Sequence, residues 1–169
     1  MKNIKIFLVP SSDAVECDMT EVRDFFRQLN EMYFDSGINF SILNANEMTE
    51  NELKEHVADS DLSFFLFFED VSAVMRSCFD IFFESFKKTD KPKIVTYFKY
   101  TESPNDMTEA VREFSQMLGN ELRHYYNNYN SIDTLKLGIL MQIKVMRLDA
   151  SQITISDDGM ICLNGQPVA

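Results

Sequence analysis

Tryptophan is absent from the 169-residue chain, glycine occurs five times, proline four times, cysteine three times and histidine twice. So few glycines and prolines exclude a low-complexity or linker-rich chain and leave little room for long irregular loops. The cysteines, Cys17, Cys78 and Cys162, are far apart, odd in number and form no CxxC pair, and His56 and His124 stand alone. That spacing supports neither a disulfide framework nor a zinc site, so no metal is expected. Positive charge is also scarce: 16 Lys and Arg against 27 Asp and Glu give a net charge of −11. A surface of that sign repels phosphate backbones, so no nucleic-acid partner is expected. No apolar run approaches the roughly 18 residues of a membrane span, so no membrane partner is expected. The opening MKNIKIFLVPSS has a short apolar run that reads as a strand rather than a signal peptide, and a cytoplasmic protein is expected. Against these absences stands a chain that is 45% hydrophobic and 25% charged, a balance that builds a sizeable globular core.

The apolar residues change period along the chain. Ile4 to Val9 reads as a buried strand, and Val22, Phe25, Phe26, Leu29, Met32 and Tyr33 share one helical face, with Asp18 or Thr20 as the cap and Gly37 as the stop. Ile38 to Leu43 alternates as a second strand. Thr49 and Glu52 form a capping-box pattern ahead of a short helix carrying Leu53 and Val57. The run DLSFFLFF is apolar on both faces, as in a parallel sheet. A third helix is expected over about Met75 to Lys88 and a fourth strand over Lys93 to Phe98. Ser103-Pro104 opens a fourth helix, LRHYY holds a weak fifth strand, and Ile132 to Leu148 forms a fifth helix. Five alternations of strand and helix predict an α/β fold, a parallel five-stranded sheet with helices on both faces. The flavodoxin-like order 2-1-3-4-5 leads the possible topologies. ITISDDGMICLNGQPV reads as a C-terminal β-hairpin turning at Asp158-Gly159. The expected organisation is therefore an α/β domain over 1–148, and a hairpin over 149–169 leading towards a further C-terminal domain.

In that topology a ligand sits outside the carboxyl ends of the first and third strands, between the loops PSSDAVEC and EDVSAVMRSC. The first loop offers Ser11 and Ser12, whose hydroxyls could hold ribose or phosphate oxygens or could simply make a turn. It contains neither GxGxxG nor GxxxxGK[ST]. The second loop brings Glu69, Asp70, Arg76, Ser77, Cys78 and Asp80 towards the start of the third helix. A carboxylate here could engage ribose hydroxyls or stabilise positive charge as a glycosidic bond breaks; the bland reading is solvated charge at a helix start. Cys78 could be an activated thiol or a small packed side chain. His124 beside two tyrosines, the phenylalanines of 64–68, and Phe79, Phe82, Phe83 and Phe86 read as structural.

These residues carry a resemblance. IKIFLVPSS, EVRDFFRQLNEMYFDSGINF with its Arg23, SDLSFFLFF, FKKTDKPKIVTYFK and HYYNNYNSIDTLKLGILMQIKVM together resemble bacterial TIR-like domains of the SIR2/TIR-associated type, within the TIR and nucleoside deoxyribosyltransferase superfamily. The likeness covers nearly all of residues 3 to 165. It implies a signalling or defence role, possible self-association, and a C-terminal effector or repeat domain in longer proteins. It also implies chemistry on NAD or a related nucleotide, in which a crevice glutamate engages the ribose as the nicotinamide bond breaks. The chain departs from the pattern at two places. Aligning on Phe79 puts Cys78 where the glutamate stands, with Asp80 at the following acidic position, about 200° further round the helix. LNANEM stands where relatives have a Trp-Glu pair.

The sequence therefore predicts a TIR-like module with no required cofactor and with NAD or a related nucleotide as ligand. On this reading Ser11, Ser12, Asp70, Ser77 and Cys78 line the ligand site. The alternative is an NAD glycohydrolase using Asp80 or Glu69 as its carboxylate. A flavodoxin-type electron carrier ranks last, for want of a Ser/Thr-rich phosphate loop.

Overall fold

The computed structural model describes residues 1–12, 15–145, 153–163 and 165–168. Five strands, β1 (Lys2–Pro10), β2 (Ile38–Asn44), β3 (Leu62–Phe67), β4 (Lys93–Lys99) and β5 (Tyr126–Tyr129), alternate with helices α1 (Glu16–Tyr33), α2 (Glu50–Ala58), α3 (Ala73–Thr89), α4 (Glu109–Asn120) and α5 (Ile132–Val145). All neighbouring strands are parallel, in the order β2-β1-β3-β4-β5. The fold is thus a flavodoxin-like α/β sheet with helices on both faces. All six residues of β3 are buried, the condition that a continuous apolar run satisfies at the centre of a doubly covered sheet.

Strand alternation divides the core in two. Ile4, Ile6 and Leu8 of β1, with Phe64 and Leu66 of β3, face α1 and α5 through Val22, Phe26, Leu135 and Ile139. Phe7, Val9, Phe65 and Phe67 face the opposite way, onto Leu53 and Val57 of α2, Phe79 and Phe82 of α3 and Phe114 of α4. The phenylalanines are the core of this second face. Phe82 stands edge-on to Phe7 and to Phe65, each at 5.0 Å between centroids, the arrangement that ring quadrupoles favour.

Local chemistry sets most boundaries. Thr49 and Glu52 form the full reciprocal capping box at α2, and the Ser72 hydroxyl caps α3 by accepting from Met75 N at 3.2 Å. Gly37 ends the turn after α1 at φ 70°, a left-handed conformation in which glycine carries no Cβ penalty. Three expectations need correction. Helix α1 starts at Glu16 with Val15 at the cap position and no side-chain cap, and Asp18, inside the first turn, pairs with Lys99 instead. Ser103-Pro104 opens only a single 3₁₀ turn, and α4 begins afterwards under a Thr108 cap. The fifth strand lies at Tyr126–Tyr129, later than LRHYY.

Beyond α5, β6 (Ile153–Ile155), β7 (Ile161–Leu163) and β8 (Gln166–Pro167) form a small antiparallel sheet. Gly159, at φ 81°, serves the β6–β7 turn. Ile161, Leu163 and Val168 are buried in the same cluster as α1 and α5, so this sheet helps to close one face of the core. The expected boundary at 148/149, and Met146 of the last helix, lie outside the described residues. Among the described residues no helix is long and apolar enough to cross a membrane.

Candidate functional site

The ends of β1 and β3 are tied together by the first serine of the PSS turn. Ser11 N donates to Leu66 O at 2.8 Å, and Phe68 N donates to Ser11 Oγ at 3.1 Å. The two loops that the topology places at the ligand crevice are therefore side by side, and Ser11 acts as the stitch between them. The Ser12 hydroxyl is buried with no hydrogen-bond partner among the described residues, a state that costs free energy until something satisfies it.

The loop after β3 is shaped by its own backbone. Glu69 adopts φ 61°, an uncommon conformation for a residue with a Cβ. Two contacts hold it: Asp70 N donates to Phe68 O at 2.7 Å, and the Thr108 hydroxyl donates to Glu69 O at 2.7 Å. The second contact draws the start of α4 against this loop. Between them opens a cleft of about 300 Å³ lined by Phe68, Glu69, Lys99, Tyr100, Asp106 and Thr108, among others. That is the lower end of the volumes small-molecule sites occupy.

Under the cleft lies a polar network that sequence reasoning missed. Lys99 Nζ donates to Asp18 Oδ2 at 2.8 Å, and Tyr129 Oη donates to the same oxygen at 2.8 Å. Both charges are largely desolvated, the side chains being 23% and 15% exposed. The Lys99 ammonium also stands 5.6 Å from the Phe68 ring centroid, a cation–π distance. Burial, together with the negative Asp18 carboxylate that accepts its hydrogen bond, pushes the Tyr129 hydroxyl far above the usual phenol range; it stays a neutral donor. A signal was available in the sequence, since Lys99 is a lone cation at the carboxyl end of an apolar strand. Asp18 instead looked like a helix cap, and Tyr129 fell outside the expected fifth strand.

The remaining expected site residues are dispersed. Asp70 and Ser77 are exposed, and the Asp70 carboxylate accepts from its neighbour Val71 N at 2.7 Å. Cys78 packs against the apolar cluster of the α2–α4 face. Burial pushes its thiol up from 9.0 to about 11, so the helix-start activation considered for it does not operate. Asp80 is exposed eight residues beyond Ser72, about 12 Å along the helix axis. It lines a separate groove of about 500 Å³ between α2 and α3, with Lys54, Ile81, Glu84 and Lys88. The structure sets Ser11 and Ser12 beside the Glu69 loop, but of the expected site residues Glu69 alone lines the cleft, and Asp80 lies elsewhere.

Two further features are accounted for locally. Arg23 pairs with Glu16 at 2.8 Å and lines a broad groove of about 560 Å³ beside edge strand β2, with Asn44 and Glu47 of the LNANEM segment. His124 shares a 3.0 Å hydrogen bond with Thr96 Oγ1 and meets the Phe79 ring edge-on; burial lowers its pKa, the mark of a neutral structural imidazole. Among the described residues no cluster of His, Cys, Asp and Glu could hold a metal ion.

No family model and no curated protein matches the chain. A crystal structure of an NADPH-quinone reductase from P. pentosaceus aligns over 88% of this chain and 96% of that chain, at 13% sequence identity and a TM-score of 0.40.

Proposed function

We propose that this chain is a TIR-like signalling or defence module that binds a nucleotide, NAD or a relative of it, without cleaving it. The observation that carries this reading is the chemistry at α3. The position expected to present a glutamate to the crevice holds Cys78, a thiol packed among apolar side chains and protonated at neutral pH. It can neither anchor ribose hydroxyls as an anion nor stabilise an oxocarbenium-like transition state. Asp80 stands on another groove, and the Asp18 carboxylate is engaged by Lys99 and Tyr129. What remains is a cleft of about 300 Å³ beyond the carboxyl ends of β3 and β4, one strand over from the β1/β3 switch point at which open α/β folds commonly hold ligands.

The competing reading, an NAD glycohydrolase, has one specific observation in its favour: Glu69 presents an exposed carboxylate at that same cleft. Incubation with NAD, with chromatographic measurement of nicotinamide and calorimetric measurement of binding, separates the two. Saturable binding with no nicotinamide released supports the binding module. Turnover by the native chain that disappears in Glu69→Gln overturns it in favour of the hydrolase, and absence of binding removes both.

A further inference from the structure

We propose that Lys99 is the anion-holding residue of the cleft between the Glu69 loop and α4, so that this cleft receives the phosphorylated end of its ligand. The inference rests on the nucleotide-binding reading and assigns one part of the ligand to one side chain.

Three observations converge on Lys99. It is the one cationic side chain lining this cleft among the described residues. Its ammonium is fixed in place: Asp18 takes one of its three N–H donors at 2.8 Å, and the Phe68 ring flanks it at 5.6 Å. An ammonium held in this way has little further freedom to lose on binding, which is the condition for a preorganised contact. The amino end of α4 meets the same cleft through Thr108 and Val111. Val111 N is capped by the Thr108 hydroxyl, so at this cleft the helix end contributes the partial positive charge of its dipole rather than a free amide.

The acidic groups nearby are disposed to permit this. The Asp106 carboxylate accepts from Ser103 N at 2.8 Å, a bond that directs it back to its own turn but leaves its charge in place. Asp18 lies on the core side of Lys99, where it is 15% exposed and also bonded to Tyr129. Glu69 and Asp106 are both exposed carboxylates of the cleft, Glu69 on the β3 side and Asp106 on the turn before α4. A phosphate therefore favours the Lys99 side, and Glu69 is left for the ligand's hydroxyl groups, as an acceptor-only partner.

The test compares adenosine, adenosine monophosphate and inorganic phosphate by calorimetry at low and moderate salt. The native chain is expected to bind the monophosphate about tenfold or more tightly than adenosine, the scale of a charge-assisted hydrogen bond, with the preference shrinking as salt rises. Lys99→Met removes the charge but leaves Asp18 buried without its partner, so the variant is also made as Lys99→Met with Asp18→Asn. In that double variant the preference is expected to collapse to about equal binding of the two ligands. Equal binding of adenosine and the monophosphate by the native chain overturns the Lys99 assignment and leaves the nucleotide-binding reading standing. A preference that survives in the double variant also overturns the assignment. Inorganic phosphate binding as tightly as the monophosphate supports the Lys99 contact and counts against a nucleotide ligand, and failure of all three probes to bind refutes both.

Discussion

Replacing Tyr129 by phenylalanine isolates the energetics of the network under the cleft. The ring is 1% exposed, and phenylalanine keeps its volume, so no cavity opens and the loss is that of one O–H donor. That donor serves a charged acceptor, Asp18 Oδ2, at 2.8 Å. Hydrogen bonds to charged groups contribute about 1.5–3 kcal/mol. The loss also leaves the carboxylate, 15% exposed, dependent on Lys99 alone. Equilibrium urea unfolding of Tyr129→Phe is therefore expected to show a loss of about 2 kcal/mol. With a slope of about 2 kcal/mol per molar urea, the midpoint falls by about 1 M with the slope unchanged. Asp18→Asn and the combined variant complete a double-mutant cycle. Because the two groups share one short bond, their effects should be non-additive by about 1 kcal/mol or more. A Tyr129→Phe variant within about 0.5 kcal/mol of the native chain, or strict additivity in the cycle, would refute the claim that a desolvated network holds Lys99 at the cleft.

Other variants test the fold and the thiol chemistry. Gly138→Ala in α5 should destabilise despite the gain of about 1 kcal/mol in helix propensity, because the new Cβ would lie 2.6 Å from the Tyr97 hydroxyl; combination with Tyr97→Phe should recover part of the loss in thermal unfolding. Thr49→Ala removes a complete capping box and should cost about 1 kcal/mol by chemical denaturation, whereas no change would mean that α2 is held by packing alone. With its thiol raised from 9.0 to about 11, Cys78 should be alkylated about a hundredfold more slowly at pH 8 than an ordinary thiol, with exposed Cys17 as the internal control by peptide mass spectrometry; equal rates would show that Cys78 is not packed. The same shift sets a sign for stability: the folded state binds this proton more tightly, so its contribution is complete below pH 9 and is lost as pH rises through about 11.

The order of the sheet was legible because it depends on periodicity over long segments. An apolar run such as SFFLFF can be satisfied only by burial on both faces, and five such alternations with right-handed crossovers leave few arrangements. The Thr49 capping box was legible for the opposite reason, since both of its partners lie within four residues. What sequence could not convey were the contacts made across the fold. Asp18 has the identity of a helix cap but lies inside the first turn of α1, and its partners are 81 and 111 residues away, so tertiary pairing rather than capping sets its role. Tyr126–Tyr129 contains two asparagines, poor strand formers, and becomes a strand because β4 offers Thr96 to Lys99 as a pairing edge.

The same distinction bears on where chemistry resides at this crevice. A helix start presents side chains outward only where its first turn overhangs the sheet edge. Residue 78 is already the sixth position of α3, and at 3.6 residues per turn it has swung back towards the sheet face occupied by Phe79 and Phe82. A carboxylate placed there without local rearrangement would be largely buried against apolar side chains, which favours its neutral form. In this chain two of the charged groups that line the cleft come from a strained loop residue, Glu69, and from a strand end, Lys99. Neither moves with α3. The loop is pinned by Thr108 and the strand end by Asp18, so the spacing between carboxylate and ammonium is set by the sheet and the amino end of α4. A spacing fixed in this way is what the proposed nucleotide-binding reading requires of its hydroxyl-holding and anion-holding groups.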